Sequence, residues 1–210
     1  MVTAAAMLMF LPSACAFAQE EPSAAMNAAS AYMDAVFPRQ CHDRRDLKAS
    51  GSRLDDKQFS FPYRDDRLLE EEADFTFHLF QMHCFLGAYN SGSVFLKQED
   101  DGGFSVIAFA VPYFVFDYAD PGKGSRIKTP PHIVGFRVNA ILENAEFNPE
   151  TRSIAARSSW RGMGDAWDAG TWTEIMGNFV MTRFEVDPTY DDEGGAPPQR
   201  PLTYVLVGQK

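Results

Sequence analysis

Phe75-Thr76-Phe77-His78-Leu79-Phe80-Gln81-Met82-His83-Cys84 is the stretch that decides the fold class. Phe75, Phe77 and Leu79 recur at every second position, the period of a strand with one buried face. Aromatic and β-branched residues also suit pleated backbone better than helix. From Phe80 onward the apolar residues change parity to Phe80, Met82 and Cys84. That change predicts a β-bulge at Leu79-Phe80 and puts His78, Gln81 and His83 together on the opposite face.

The same two-residue period extends in both directions. Phe59, Phe61 and Tyr63 alternate upstream, and Val134, Phe136, Val138 and Ala140 alternate downstream. Between them, Phe104 to Phe116 is almost wholly apolar but contains Pro112. A central proline and a short run rule out a membrane-spanning helix, and predict two buried strands or one bent edge strand. Asn148-Pro149-Glu150-Thr151 reads as a turn, after which Ile154, Ala156, Ser158 and Trp160 form a returning strand. Phe179–Val186 and Thr203–Val207 read as later strands, joined by the acidic Gly/Pro-rich loop Asp191–Pro201.

One segment follows the helical period. Met26, Ala29, Tyr32, Met33 and Val36 share a face between Pro22 and Phe37, and Pro38 ends the run. Arg39 to Asp56 is polar and charged, and reads as loop or short helix. The expected architecture is mainly β (α+β), an antiparallel sandwich or barrel-like sheet with one N-terminal helix.

Residues 1–18 read as a signal peptide. Val2–Phe17 is small and apolar around Met7-Leu8-Met9-Phe10-Leu11, and Ala16-Phe17-Ala18 supplies a small-x-small cleavage pattern. Residues 19–210 then form a single mainly-β domain, periplasmic or secreted. Cys15 leaves with the leader, so Cys41 and Cys84 remain. In an oxidising compartment that pair predicts a disulfide, closing a loop of roughly forty residues and stabilising by about 3–4 kcal/mol. The rival reading of Cys84 as a nucleophile fails because adjacent His83 would point to the other side of a strand.

The formal net charge is −10. Nucleic acid is excluded as a partner, because phosphate binding rests on clustered Lys and Arg. Anionic lipid is disfavoured for the same reason. A basic protein or a cationic small molecule is compatible, for example a basic host enzyme such as lysozyme inhibited by an acidic surface.

Trp160-Arg161-Gly162-Met163-Gly164-Asp165-Ala166-Trp167-Asp168-Ala169-Gly170-Thr171-Trp172 holds every tryptophan of the chain. It reads as a shaped, partly buried loop between strands. Cys84-Phe85-Leu86-Gly87-Ala88-Tyr89-Asn90 and Arg161-Gly162-Met163-Gly164-Asp165 together resemble an uncharacterised family of exported proteobacterial proteins. There Cys-x-x-Gly-Ala-Tyr-Asn is followed, several strands later, by Arg-Gly-x-Gly-Asp-Cys-Gly and a tryptophan. Ala166 stands where that family has cysteine, and no downstream cysteine remains to pair with it. The resemblance implies a periplasmic β protein whose relatives carry a second disulfide. It implies no reaction.

Two arrangements follow for these residues. Arg161 pairs with Asp165 or Asp168 to pin a turn, or Tyr89, Asn90, Trp160, Arg161, Asp165 and Trp172 form a binding surface. No catalytic, cofactor or metal site is called for. Asn90-Ser91-Gly92-Ser93 is a Gly/Ser turn without the Gly-x-Ser-x-Gly of a hydrolase elbow. His78 and His83 lack a third ligand at zinc spacing, and His42 and His132 are isolated. Asp117-Tyr118-Ala119-Asp120 and Asp191-Asp192-Glu193 do not follow a calcium loop. The expected function is therefore a non-catalytic binding or inhibitor-like module of the cell envelope. The alternative is a hydrolase of an envelope glycan or ester, using Asp165 and Asp168 as paired carboxylates beside sugar-stacking tryptophans.

Overall fold

The computed structural model describes residues 23–52, 54–67, 74–190 and 203–208. Residues 1–18, expected to be a signal peptide, and the expected loop Asp191–Pro201 lie outside the described residues. Helices α1 (Ala24–Val36) and α2 (His42–Ala49) come first. Strands follow as β1 (Lys57–Arg64), β2 (Asp74–Leu86), β3 (Ser91–Gln98), β4 (Phe104–Val106), β5 (Phe109–Tyr118) and β6 (Ile127–Asn139). The rest are β7 (Ile141–Glu143), β8 (Glu146–Asn148), β9 (Ser153–Ser159), β10 (Trp167–Ile175), β11 (Asn178–Asp187) and β12 (Tyr204–Val207).

The strands form two five-stranded antiparallel sheets and a ribbon. The first sheet runs β1-β2-β3-β4, with β7 also paired to β3. The second runs β12-β11-β10-β9-β8, and β5 pairs with β6 as a separate two-stranded ribbon. Phe61, Phe77, Leu79 and Phe95 of the first sheet pack with Phe147, Ile154, Trp172 and Phe184 of the second, and Phe109 and Val111 of the ribbon join them. The helices cover the other side of the first sheet, where Ala29, Met33, Phe37 and Cys41 meet Phe80, Met82, Cys84, Val94 and Leu96. The result is a mainly β sandwich with a helical third layer.

That third layer explains the parity change in β2, and it corrects the expected bulge. β1 and β2 pair without interruption from Lys57↔Gln81 to Arg64↔Asp74, straight through Leu79 and Phe80. The strand is buried on both faces, so each parity becomes apolar in turn. The register shift lies instead at His83/Phe85, opposite Ser93 and Gly92. The Phe85 ring sits over Gly92 there, and a Cβ on Gly92 would lie 2.2 Å from it. His78 consequently does not share a face with Gln81 and His83. Gln81 is buried in the inter-sheet core, where its Nε2 donates to Ala145 O at 2.8 Å and its Oε1 accepts from Phe147 N at 3.3 Å. That one side-chain amide ties the first sheet to β8 of the second.

Cys41 and Cys84 form the disulfide, joining the α1–α2 junction to β2. The polar segment after Pro38 is the short helix α2, held inward by Arg44. Phe104–Phe116 divides into two strands, β4 and β5. Two further expectations are revised. Ser91-Gly92-Ser93 opens a strand rather than forming a turn, and only residues 160–166 of the tryptophan stretch are loop, since Trp167–Trp172 lie in β10. Among the described residues no helix is long and apolar enough to cross a membrane.

Candidate functional site

The two motifs meet at one end of the sheets. Asn90 sits in the β2–β3 turn, where its backbone carbonyl accepts from Gly87 N at 2.7 Å. Its Nδ2 donates to Ser159 O at 2.8 Å, while its Oδ1 accepts from Ser159 N at 3.0 Å and Asn144 Nδ2 at 2.7 Å. The side-chain amide thus satisfies both backbone groups of Ser159, as a neighbouring peptide would in a ladder. Gly162 lies against the Tyr89 ring, with its Cβ position 3.4 Å from the ring edge. Arg161 Nε donates to both carboxylate oxygens of Asp165 at 2.8 and 3.0 Å, Nη2 donates to Oδ2, and the guanidinium lies 4.7 Å from the Tyr190 ring centre. Tyr89, Asn90, Arg161 and Asp165 therefore all border the 160–166 loop, Tyr89 through its ring and the other three through polar groups.

The tryptophans have separate surroundings. Trp160 stacks on Phe114 and Phe116 of the ribbon and donates from Nε1 to Asp168 Oδ2 at 2.8 Å. Trp167 lies under Arg157, with the guanidinium carbon 3.9 Å from the ring centre. Trp172 is 2% exposed, packs edge-on to Phe109 and donates from Nε1 to Ala110 O at 3.0 Å. Its indole covers Gly170, where a Cβ would come within 2.4 Å. The six residues singled out by sequence do not converge on one pocket. Of them, only Trp172 reaches the cavity described next.

That cavity, of about 120 Å³, opens where the ribbon, β7, β9 and β10 meet. Arg137, Asn139, Glu143, Arg157, Ser158 and Asp168 supply its polar groups, and Trp172 and Phe184 part of its apolar wall. Ser158 and Asp168 are cross-strand partners, and Ser158 Oγ donates to Glu143 Oε2 at 2.5 Å. Burial holds the Asp168 carboxyl above the usual carboxylate range, and nearby Glu143 adds to the effect. The Trp160 hydrogen bond and the Arg137 charge oppose it. Of the two carboxylates considered as a pair, Asp165 is held by Arg161, while Asp168 lines the cavity with Glu143.

Sequence reasoning missed Arg137, Glu143 and Ser158. Arg137 alternates with the apolar Phe136 and Val138, so it reads as an ordinary solvated position. No local signal marks strands β7 and β9 as neighbours.

The raised Asp168 value has a definite consequence for stability. Its carboxyl favours the protonated form more in the fold than in the unfolded chain. Stability from that group is present at low pH and is lost as pH rises through the folded-state value. Asp168→Asn keeps an acceptor for Trp160 but cannot ionise. Thermal melts are expected to show Asp168→Asn more stable than the parent near pH 7, the gain vanishing by about pH 4.

Elsewhere, burial and neighbouring Tyr190 push the Tyr118 hydroxyl up to about 12, and it donates to Pro188 O at 2.6 Å. Among the described residues no three His, Cys, Asp or Glu side chains are grouped to hold a metal ion. Compared with known proteins, the chain matches no family model, no curated protein and no solved structure.

Proposed function

We propose that this is an exported, non-catalytic binding module of the cell envelope, and that its partner protein docks on the outer face of the β5–β6 ribbon. The observation that carries the reading is the exposed apolar surface there. Tyr113, Val115, Val134, Phe136 and Val138 are each between 38% and 72% exposed and lie on paired strands. Scattered exposed apolar residues are ordinary, but a contiguous set on one element marks an interaction surface. The Cys41–Cys84 bridge and the resemblance to exported proteins support the envelope location.

The partner's chemistry follows from local charge. Apart from Arg137, which lines the cavity, the ribbon from Phe109 to Asn139 carries Lys123, Arg126 and Lys128 against Asp117 and Asp120, with Arg126 paired to Asp120. The ribbon is positive within a chain of net charge −10, so the partner at this face is acidic. The basic partner suggested by the whole-chain charge suits the surface outside the ribbon. Hydrolysis stays the second reading, favoured only by the two carboxylates of the cavity. It ranks lower because neither the cavity nor its rim holds a histidine, and the one hydroxyl, Ser158, already donates to Glu143.

Photo-crosslinking residues placed at Phe136 and Val138, with controls at the apolar, exposed but less open Ile175 and Val180, test the docking face. The expected result is one protein adduct from the ribbon positions alone. The purified adduct partner is expected to bind the native chain with affinity that falls with salt, and at least tenfold more weakly to Phe136→Ala. Equal adducts from both sets, a lipid adduct, or no adduct overturns the reading.

A further inference from the structure

The cavity between the ribbon and the second sheet has a polarity that the docking face does not use. Arg137 stands at its rim and, among the described residues, makes no hydrogen bond or ion pair. Glu143 and Asp168 each commit one carboxylate oxygen, to Ser158 Oγ and Trp160 Nε1 respectively. Their second oxygens accept nothing among the described residues. One small cavity therefore presents the unpaired Arg137 guanidinium and two half-used carboxyl groups, while its second arginine, Arg157, is spent on the Trp167 ring and Gly164 O.

We propose that this cavity is a binding site for a small zwitterion, a free α-amino acid with a short side chain. A carboxylate satisfies the planar donors of Arg137, the residue type best suited to bidentate carboxylate recognition. The ligand's ammonium donates to the free oxygens of Glu143 and Asp168. A purely anionic ligand meets repulsion from Glu143, and a purely cationic one leaves Arg137 without a partner. Size points the same way, because about 120 Å³ lies well below the roughly 300 Å³ at which drug-sized sites begin. The apolar wall of Trp172, Phe184 and Val111 leaves room for a hydrogen or methyl side chain rather than a second charge.

The site is independent of the docking face, so either reading can fail alone. Calorimetric titration of the mature chain with glycine, L-alanine and D-alanine tests it, with acetate, methylammonium and N-acetylglycine as probes carrying one charge only. Saturable one-site binding of at least one amino acid is expected, at least tenfold tighter than any single-charge probe. Arg137→Gln and Glu143→Gln are each expected to weaken it tenfold or more while leaving the melting temperature near the parent's. Absence of saturable binding up to about 10 mM overturns the proposal. So does equal affinity for acetate, or affinity unchanged in Arg137→Gln.

Discussion

Arg44→Met is expected to cost about 3–5 kcal/mol of folding stability, read as a lowered urea midpoint at constant slope. The side chain is 1% exposed and is held on every side. Its Nη1 and Nη2 each donate to one oxygen of Asp56 at 2.7 Å. Nη1 also donates to His83 O at 2.9 Å, Nη2 to Ser30 Oγ at 2.8 Å, and Nε to Asp34 Oδ1 at 3.3 Å. One guanidinium thus gathers α1, α2, the segment before β1, and β2. Asp56, largely buried itself, also accepts from His83 N at 2.9 Å. Removing the cation leaves that carboxylate out of water with one backbone donor, and this uncompensated charge is the source of the loss. The double variant Arg44→Met with Asp56→Leu removes both charges and is expected to recover a large part of it. A single variant within about 1 kcal/mol of the parent would show that water reaches the cluster.

Arg44 also shows where the sequence is opaque. Asp43-Arg44-Arg45-Asp46 looks like a solvated run, and no periodic apolar face marks the helix that contains it. What buries Arg44 is a set of acceptors from distant positions. Legibility elsewhere tracks how many faces of a strand are covered. β1 and the strand from Ile154 have one core face, so their two-residue period is plain. β2 is covered by both a sheet and helices, so its period changes and mimics a bulge. β3 begins with small residues because the Phe85 ring passes over Gly92, and small residues in sequence look like a turn. The disulfide was readable because, once Cys15 is read as part of a leader, Cys41 and Cys84 are the one pair left. The cavity was not, because its polar residues Arg137, Asn139, Glu143, Arg157, Ser158 and Asp168 come from four strands, at positions where solvent is the usual neighbour.

Trp172→Ala is expected to remove about 3–5 kcal/mol, a large share of the stability of a domain this size. The indole is the largest fully buried side chain and lies among Phe109, Gly170 and the backbone of Ala110. Truncation leaves a void and also removes the hydrogen bond to Ala110 O, so two costs add. Trp172→Phe separates them, keeping most of the apolar volume while losing the hydrogen bond. Gly170→Ala pushes a methyl toward the ring from the other side. Because that methyl fills space that a smaller ring vacates, Trp172→Phe with Gly170→Ala is expected to cost less than the sum of the single changes. The hydrogen bond matters for the proposed docking face as well. Ala110 belongs to β5, and Trp172 Nε1 joins that strand to the second sheet. Amide exchange in β5 and β6 is therefore expected to rise in Trp172→Phe before exchange in β2 and β3 does. Uniform acceleration across all strands would show instead that the ribbon is held by its apolar packing alone, with the indole N–H adding nothing specific to its attachment.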